Sequence, residues 1–513
     1  MPRLPLHPIV LVLALAATLA PAVHAQIAPA ATSDFQDVTT LPSDATSEPI
    51  NAFIAAYNAN DAAAIRSFLE KYTTPEFLKM QTMDEHLEMF LRMRRSTGVI
   101  KLHAIRSHEP ARPKPELIFK DSVYGNWHGV TLAFAADTNT GGANTGGGAL
   151  RISEIRFSPV PAPKNQTATT PITEAQMLEQ AQKLVQSGCD MDVFSGTAVI
   201  SHGKKVVLQM SCGEASKRYH IKNNVDTKYN LGSMNKMFTS LAIAQLMEQG
   251  KLSYADKIDK YLDDSWLPKD ITSQITIAQL LSHTSGLGSY FNDAYFKSSR
   301  DLFREVDDYK PLIKGDKPQF TPGSDYAYSN SGMLLLGAIV EKVSGQNYFA
   351  YIRQHIYAPA GMKDSDCYPL DEPVENLAMG YIPQPLPNWH WSENTFLHVL
   401  RGGPAGGGYA SAPDLLRFGQ ALQDGKLVKP ATLKTMWQDQ SKHGYGYGFQ
   451  VRSSPAGREV GHSGGFPGLN GQFTIHADQA YTLAVLSNYD EGAAPLARQI
   501  SLLIERTIAS PVK

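Results

Sequence analysis

Hydrophobic and polar positions divide the chain into two patterned regions. In the first region, apolar residues recur at helical spacing in three segments, and Asn60-Asp61 can cap the second of these helices. Four short runs with strand character follow, joined by turns that carry Pro or Gly, at 99–105, 116–119, 130–135 and 150–157. Helices followed by an antiparallel sheet predict a small α+β domain over residues 47–158.

The second region begins after a proline-rich stretch, which we interpret as a linker over residues 159–171. It opens with a helix and a hairpin between residues 172 and 210 and continues through a mostly helical middle. Four strand-like runs after residue 445 and a closing helix near 494–504 follow. This order predicts that the two ends of a domain over residues 172–510 meet in one antiparallel sheet.

One helix of the second region is apolar on nearly all sides, and a serine and a lysine stand at its start. Ser233 and Lys236 are three residues apart, so their side chains share one face of the helix. A neutral amine beside a hydroxyl can take its proton as the oxygen attacks a carbonyl carbon. Burial and a neighbouring positive charge both lower the pKa of a lysine, and either can favour the neutral form of Lys236 on this apolar helix.

The same pattern, a serine three residues before a lysine, occurs at Ser201 and Lys204 in a different context. Strand-like runs flank that pair, which predicts a hairpin turn whose side chains need not converge. The spacing of serine and lysine therefore does not identify a site unless partners occur elsewhere in the chain.

Tyr328 and Asn330 stand two residues apart, just before a second apolar helix. A phenol there can share proton transfer with Lys236, and an amide can bind a substrate carbonyl. Taken alone, the same residues also fit turn chemistry, with Asn330 as a helix cap and Tyr328 packed in the interior.

A glycine-rich segment, His462-Ser463-Gly464-Gly465, lies on or beside a late strand. Its glycines let the backbone approach a ligand closely. A backbone N–H of this segment, opposite the N–H of Ser233, would give the two donors that stabilise an oxyanion during acyl transfer. A plain glycine-rich bend with a surface histidine is the alternative.

These three motifs, Ser233-Met234-Asn235-Lys236, Tyr328-Ser329-Asn330 and His462-Ser463-Gly464, resemble in that order the motifs of serine β-lactamases and penicillin-binding proteins. The likeness is to the class C group and its relatives, which include carboxylesterases and D-amino-acid-specific peptidases. Segments 275–287, 320–323 and 406–411 also resemble blocks of that family. The resemblance implies a β-lactamase-like transpeptidase fold of mixed α/β class, with an antiparallel sheet flanked by helices and a mostly helical subdomain.

The resemblance also implies a role for each matching residue. Ser233 corresponds to the acylated nucleophile, and Lys236 and Tyr328 correspond to the proton-transfer pair. The residues that correspond to the substrate-binding positions are Asn330, His462, Ser463 and Gly464. The backbone N–H groups of Ser233 and Gly465 correspond to the donors of the oxyanion hole. His283 suggests a Ser-His pairing, but its block is structural in the family, so we expect a packed, hydrogen-bonded imidazole.

One position departs from the family pattern. The third motif most often begins with lysine, whose fixed charge helps to hold the carboxylate of penicillins and peptide C-termini, whereas this chain has His462 and then Ser463. An unperturbed imidazole is mostly neutral near pH 7, so it attracts anions weakly. We therefore expect a serine hydrolase that acts through an acyl-enzyme on an ester or a small D-amino-acid peptide or amide. A true β-lactamase, and a penicillin-binding sensor that is acylated without turnover, are the alternatives.

The amino terminus predicts export. Arg3 precedes an apolar run over residues 9–20, and small residues come before Gln26, so residues 1–25 have the pattern of a cleaved signal peptide. A membrane anchor is the alternative, but the run is shorter than the ~18 residues that a span needs, and no later segment is long and apolar enough. We expect a periplasmic or secreted protein that begins with a disordered spacer over residues 26–46.

The composition argues against a nucleic-acid partner and against a metal site. The 47 basic and 49 acidic residues form no basic block, so no nucleic-acid partner is expected. Three cysteines lack metal-ligand spacing, and we expect a small-molecule substrate without a metal or cofactor. Cys189 and Cys212 could form a disulfide or be buried separately, and Cys367 would remain free.

The role of the first domain stays open. Its element order resembles the folds of the nuclear-transport-factor-2-like (NTF2-like) group, and the domain could cover the site, bind a partner or mediate self-association. Its glycine-rich segment 140–148 lies between two strand-like runs and lacks the Lys and Ser or Thr of a phosphate loop, so it predicts a flexible hairpin tip.

Overall fold

The computed structural model describes residues 34–38, 44–109, 116–136, 150–166, 170–454 and 456–507. The expected signal peptide (1–25) and the glycine-rich segment (140–148) lie outside these residues. The chain divides into two compact units, of which the first comprises residues 1–122 and 127–164 and the second residues 123–126 and 165–513.

Within the described residues, the first unit combines four helices with a five-stranded antiparallel sheet. The helices are α1 (Ser47–Ala59), α2 (Ala62–Tyr72), α3 (Pro75–Lys79) and α4 (Met83–Thr97), and the strands, in sheet order, are β1 (Asp34–Val38), β2 (Lys101–Glu109), β3 (Glu116–Lys120), β4 (Trp127–Ala136) and β5 (Leu150–Pro159). Asp61 caps α2 by accepting a hydrogen bond from the N–H of Ala64 at 2.7 Å. The α+β arrangement is confirmed, and the likeness to NTF2-like folds stays a prediction.

Residues 34–38 form a strand, so the prediction of a disordered spacer is wrong for this segment. β1 pairs antiparallel with β2, and Asp37 stands opposite Arg106. The Arg106 guanidinium donates to both carboxylate oxygens of Asp37, at 2.8 and 2.9 Å, and lies 3.8 Å from the centre of the Phe35 ring. A bidentate pair on a side chain that is 2% exposed holds the segment to the sheet. Arg106 lies about 70 residues from Asp37 along the chain, so the composition of residues 34–38 did not reveal this pairing.

The second unit contains a six-stranded antiparallel sheet with the order β14-β15-β16-β17-β6-β7, where β6 is Gly196–His202, β7 Lys205–Cys212, β14 Gln450–Ser454, β15 Gly457–Phe466, β16 Leu469–His476 and β17 Tyr481–Ser487. Its two-stranded pairings involve β8 (Glu214–Ser216), β9 (Ile221–Lys222), β10 (Tyr229–Asn230), β11 (Tyr381–Gln384), β12 (His390–Glu393) and β13 (Tyr409–Ala410). β17 pairs with β6, so the first hairpin and the last strands share one sheet, as predicted.

The helices of this unit are α5 (Glu174–Asp190), α6 (Asn235–Glu248), α7 (Lys269–Thr272), α8 (Ile277–Leu281), α9 (Asp293–Lys297), α10 (Lys310–Ile313), α11 (Asn330–Ser344), α12 (Tyr348–Ile352), α13 (Ala358–Ala360), α14 (Ala412–Gln423), α15 (Pro430–Met436) and α16 (Ala494–Glu505). The central strands are apolar on both faces. Ala198 and Ile200 of β6 pack into the core beneath α5 and α16, whereas Val199 packs into the core that surrounds α6 and α11. Both faces of the sheet are therefore covered.

α6 lies in the centre of the larger core. Its side chains from Asn235 to Ala244 are all buried, in agreement with the prediction of a helix that is apolar on nearly all sides. The Ser201-Lys204 pair instead spans the tight turn between β6 and β7, as its strand-like flanks predict.

Cys189 and Cys212 form a disulfide, and Cys367 is free and buried. This result selects one of the two possibilities that the sequence left open. In the part of the chain that the structure describes, no helix has both the length and the apolar character needed to cross a bilayer.

A half-buried charge network joins β14, β15, β16 and α16. Arg452 donates to both carboxylate oxygens of Glu459, at 2.9 and 2.6 Å, and also pairs with Glu505. Burial and the neighbouring Glu459 carboxylate raise the pKa of Glu505 to about 7, because one guanidinium serves two acids. Burial lowers the pKa of His476, which lies beside Glu459, to about 4.

We predict that Glu505→Gln changes how stability depends on pH. Between the ordinary carboxyl pKa of 4.5 and about 7, folded Glu505 holds a proton that the unfolded chain releases, so this group contributes less stability as pH rises. His476, whose pKa is lowered, contributes more stability as pH rises toward its ordinary pKa of 6.5. This contribution is common to the variant and the wild type. The free energy of unfolding of Glu505→Gln minus that of the wild type should therefore rise by about 2 to 3 kcal/mol from pH 4.5 to 7 and then level off.

Chemical denaturation at matched pH values tests this prediction. Glu372→Gln is the control, because Glu372 is exposed. A difference between Glu505→Gln and the wild type that stays constant over this range would contradict the assignment.

Candidate active site

Ser233 lies in a 3-10 turn, Gly232–Met234, that leads directly into α6. Gly232 adopts a φ of +49°, which favours glycine. The Asn230 side chain accepts a hydrogen bond from the Gly232 N–H at 2.9 Å, and the Gly407 N–H donates to the Gly232 carbonyl at 3.2 Å. These contacts fix the turn that carries the Ser233 hydroxyl.

The Lys236 amine is fully buried, and three oxygen atoms surround it. Nζ lies 3.0 Å from Ser233 Oγ, 2.8 Å from Asn330 Oδ1 and 2.6 Å from the Ala405 carbonyl oxygen. Asn330 and Ala405 have no hydrogen to offer at these oxygens, so they accept from the amine. A neutral amine uses two N–H groups for these two oxygens, and its lone pair is then directed at the Ser233 hydroxyl.

Burial lowers the pKa of Lys236 well below the usual value for lysine. The sequence suggested burial or a neighbouring positive charge as the cause, and the structure identifies burial. Burial thereby shifts the equilibrium toward the neutral form, which can accept a proton from Ser233.

The second motif holds Asn330 and Tyr328 in the same site. Ser329 caps α11 by accepting from the Gly332 N–H at 2.8 Å, so Asn330 is not needed as the cap. Its amide instead accepts from Lys236 and donates to Ser289 Oγ at 3.0 Å. The helix cap that the alternative assigned to Asn330 is therefore supplied by Ser329.

The Tyr328 ring lies beside the amine, with its centre 4.7 Å from Lys236 Nζ. Burial raises the pKa of Tyr328, although a hydrogen bond with Ser233 acts in the opposite direction. The phenol thus keeps its proton at neutral pH, which suits it to donate a proton, while Lys236 is suited to accept one.

His283 packs behind Tyr328, as expected from the sequence. Its imidazole is buried, its Nδ1 accepts from the Ser329 N–H at 3.2 Å, and its ring centre lies 4.4 Å from that of Tyr328. His283 therefore supports the loop that carries the second motif.

The third motif lies on β15, against the Ser233 turn. A Cβ atom placed on Gly464 would come within 1.9 Å of the Leu231 carbonyl oxygen, and one placed on Gly232 within 2.9 Å of the Gly465 nitrogen. Only glycines permit this approach of two backbones. It brings the Gly465 amide next to the turn whose own amide belongs to Ser233, the arrangement that a two-donor oxyanion hole requires.

His462 and Ser463 are held by other residues. His462 is 1% exposed, with Nε2 2.9 Å from the Tyr445 hydroxyl and Nδ1 2.6 Å from the Ser463 carbonyl oxygen. Ser463 Oγ accepts from the Gln450 amide at 3.2 Å. The surface-histidine alternative is therefore wrong, because β15 places this side chain in the interior.

Among the residues that contribute to the site, Asn230, Ala405 and Tyr445 were not singled out from the sequence. Ala405 acts through its backbone carbonyl, which no side-chain pattern reveals. Asn230 stands just before the Ser233 motif, and Tyr445 stands where the late strand-like runs begin, so neither position belongs to one of the three motifs. The approach of Tyr445 to His462 depends on how the segment before β14 folds.

The family model for β-lactamases matches residues 181–505. The chain belongs to the β-lactamase family. The resemblance drawn from the three motifs is thereby confirmed, and so is the fold class that it implied.

Relatives within the β-lactamase family include penicillin-binding proteins. The chain is 31% identical to penicillin-binding protein 4* of Bacillus subtilis over 330 residues, which are 60% of this chain and 71% of that protein. A penicillin-binding protein of Bacillus halodurans is 28% identical with a TM-score of 0.57, over 64% of this chain and 98% of that one. The D-amino acid amidase of Ochrobactrum anthropi SV3 shares the fold, with 21% identity and a TM-score of 0.54 over 64% of this chain and 98% of that chain.

We predict that activity requires the neutral Lys236 amine. For hydrolysis of a short-chain nitrophenyl ester, kcat/KM should rise with pH through the lowered pKa of Lys236 and then stay level, because deprotonation creates the base. Lys236→Arg keeps a positive charge and should lose about 10²- to 10⁴-fold in kcat. Lys204→Arg, in the turn with the same pattern, is the control. An arginine variant with wild-type activity would exclude this role.

Gly464→Ala should separate β15 from the Ser233 turn, because the new methyl group would meet the Leu231 carbonyl. Displacement of the Gly465 amide should lower kcat by about 10²- to 10³-fold, the usual cost of one oxyanion donor. Gly315→Ala is the matched control, since a Cβ atom there meets nothing within 4 Å. Ester hydrolysis, with circular dichroism to verify folding, measures the effect. Unchanged kcat in folded Gly464→Ala would argue against the close approach.

Proposed function

We propose that this protein is an exported serine hydrolase that works through an acyl-enzyme on an ester or a small D-amino-acid peptide or amide. The observation that carries the proposal is the position of the buried Lys236 amine, 3.0 Å from Ser233 Oγ, with two carbonyl oxygens arranged to occupy its N–H groups.

In the first half of the reaction, Ser233 Oγ bonds to the substrate carbonyl carbon and its proton passes to Lys236 Nζ. The carbonyl oxygen becomes an oxyanion that accepts hydrogen bonds from the Ser233 and Gly465 amides. Tyr328 then donates its hydroxyl proton to the leaving alcohol or amine and regains one from Lys236. The bond to the leaving group breaks, and an acyl ester remains on Ser233.

In the second half, water attacks the acyl ester and the same proton path runs in reverse. Tyr328 takes a proton from the water and passes its own proton to Lys236. Lys236 then returns a proton to Ser233 Oγ as the acid leaves. The protein's own groups supply nucleophile, base, acid and oxyanion donors, so we expect no metal ion or organic cofactor. Asn330 orients the substrate, and Ser463 and Gly464 border the edge of β15 along which it would lie.

Several observations support the substrate class. The fold is shared with a D-amino acid amidase, and the third motif has His462 where a fixed positive charge would favour carboxylate-bearing substrates. Similarity to penicillin-binding proteins favours a second candidate, reaction with β-lactams. Steady hydrolysis of nitrocefin would indicate a β-lactamase, and a single burst would indicate a stably acylated sensor.

Export is supported by the amino-terminal pattern of residues 1–25 and by the Cys189–Cys212 disulfide, since disulfides persist in oxidising compartments. The first unit is proposed to bind a partner or mediate self-association. Deletion of residues 26–160, followed by measurement of activity and mass, tests that role.

We predict that Ser233→Ala abolishes covalent labelling by a fluorophosphonate or a penicillin-type probe and lowers ester turnover by at least about 10³-fold, because the nucleophile is lost. Labelling is read by intact mass spectrometry and turnover by nitrophenol release.

Ser201→Ala provides the matched control, because Ser201 has a lysine at the same spacing but stands at the turn between β6 and β7. Labelling and turnover should persist in this variant. Undiminished turnover by Ser233→Ala would overturn the proposed function.

A further inference from the structure

Tyr445 is presented by a turn that one carboxylate organises. Asp439 accepts hydrogen bonds from the N–H groups of Ser441, Gly444 and Tyr445, at 3.0, 3.0 and 3.3 Å, and from the Ser441 hydroxyl at 3.0 Å. Lys442 and Gly444 both have positive φ, of 64° and 78°. This turn holds the Tyr445 backbone in one position and directs its side chain into the interior, where it is 2% exposed.

The phenol reaches His462, and the two ring nitrogens of His462 have different partners. Nδ1 faces the Ser463 carbonyl oxygen at 2.6 Å, and a carbonyl only accepts, so Nδ1 carries a hydrogen. Nε2 lies 2.9 Å from the Tyr445 hydroxyl, which can donate to it. With the Tyr445 hydroxyl as the donor, these partners fit the neutral tautomer that carries its hydrogen on Nδ1.

The surroundings of His462 favour this tautomer. Burial raises the pKa of Tyr445 well above its usual value, so the phenol keeps the proton that it donates. The other titratable groups around this pair include Tyr328, whose ring centre is 6.5 Å from that of His462, and His283 and Tyr326, whose ring centres lie 4.5 and 6.4 Å from that of Tyr445. The Asp439 carboxylate contacts the Tyr445 backbone N–H at 3.3 Å. The neighbouring strands contribute uncharged side chains, Phe473 opposite His462 on β16 and Gln450 on β14.

We propose that Tyr445 is a positioning residue that holds His462 as the neutral Nδ1–H tautomer, and that it thereby directs the enzyme toward substrates without a carboxylate beside the scissile bond. This inference rests on the proposed function. A doubly protonated His462 would need the Tyr445 hydroxyl to turn and accept from Nε2, so a hydrogen bond donated by Tyr445 opposes a positive charge at the third motif.

The tautomer is measured directly by two-bond ¹H–¹⁵N correlation spectra of the full-length protein labelled with ¹⁵N-histidine. The signal of His462, one of 15 histidines, is identified by its loss in His462→Gln. We expect the wild type to show a protonated Nδ1 and an unprotonated Nε2 near pH 7. A protonated Nε2 in the wild type would overturn the proposal, and this readout requires no enzymatic activity.

Selectivity is measured with a depsipeptide ester that ends in a free carboxylate and with the same ester amidated at that end. Titration of Lys236 affects both substrates equally, so it cancels in the ratio of their kcat/KM values. In the wild type this ratio should stay within about twofold between about pH 5 and 8. In Tyr445→Phe, His462 loses its donor and can take a proton, which would attract the free carboxylate. The kcat/KM of the carboxylate ester divided by that of the amidated ester should therefore rise about tenfold at the acidic end, equal to about 1.4 kcal/mol.

Tyr447→Phe is the matched control. It removes a phenol hydroxyl two residues further along the segment, from a ring that packs against Tyr254 at 4.8 Å, and should leave both the ratio and the His462 spectrum unchanged. A folded Tyr445→Phe with a flat ratio and an unaltered His462 signal would overturn the proposal. If Tyr445→Phe does not fold, the wild-type spectrum decides.

Failure of the proposed function has a different signature. Retention of ester turnover by Ser233→Ala would remove the acyl-enzyme mechanism, whereas the histidine spectra would still report whether Tyr445 fixes His462.

Discussion

A primary amine buried in a hydrophobic core is the constraint on which the site depends. α6 is surrounded by apolar side chains, so Lys236 loses the solvation that would keep it charged. A buried amine is stable only where oxygen atoms satisfy its N–H groups. Asn330 and the Ala405 carbonyl supply them from positions 94 and 169 residues away along the chain. Packing of three distant segments therefore holds the amine that we propose as the base beside the Ser233 hydroxyl.

A second constraint is the approach of two backbones. β15 passes so close to the Ser233 turn that side chains at Gly232 or Gly464 would collide with main-chain atoms. The antiparallel pairing of β17 with β6 brings the end of the second unit next to its beginning, which places the late strand beside the early turn. The proposed oxyanion donors thus come from Ser233 and Gly465, which are far apart in sequence and adjacent in the sheet.

The third motif shows how a residue type acquires meaning from its contacts. A histidine at position 462 would be a source of positive charge if its ring faced solvent or an acid. Here the ring is buried between a carbonyl oxygen and the Tyr445 phenol, and these partners suit a neutral imidazole. The proposed nucleophile and base do not depend on this charge, so we expect its loss to affect substrate choice and to leave the proposed acyl transfer in place.

The sequence by itself determined the family, the α+β order of the first unit and the sharing of one sheet by the first hairpin and the last strands of the second unit. It also selected Ser233, Lys236, Tyr328 and Asn330 as candidates, because hydrophobic periodicity and motif residues can be read directly from the chain. It also rejected Ser201 and His283 as reactive groups from their context. The β1 strand, the Cys189–Cys212 bond, the Ala405 carbonyl and the Tyr445 contact were decided only by the tertiary structure. Each of them joins segments whose approach depends on packing over many intervening residues, and backbone carbonyls carry no side-chain signature that a sequence could display.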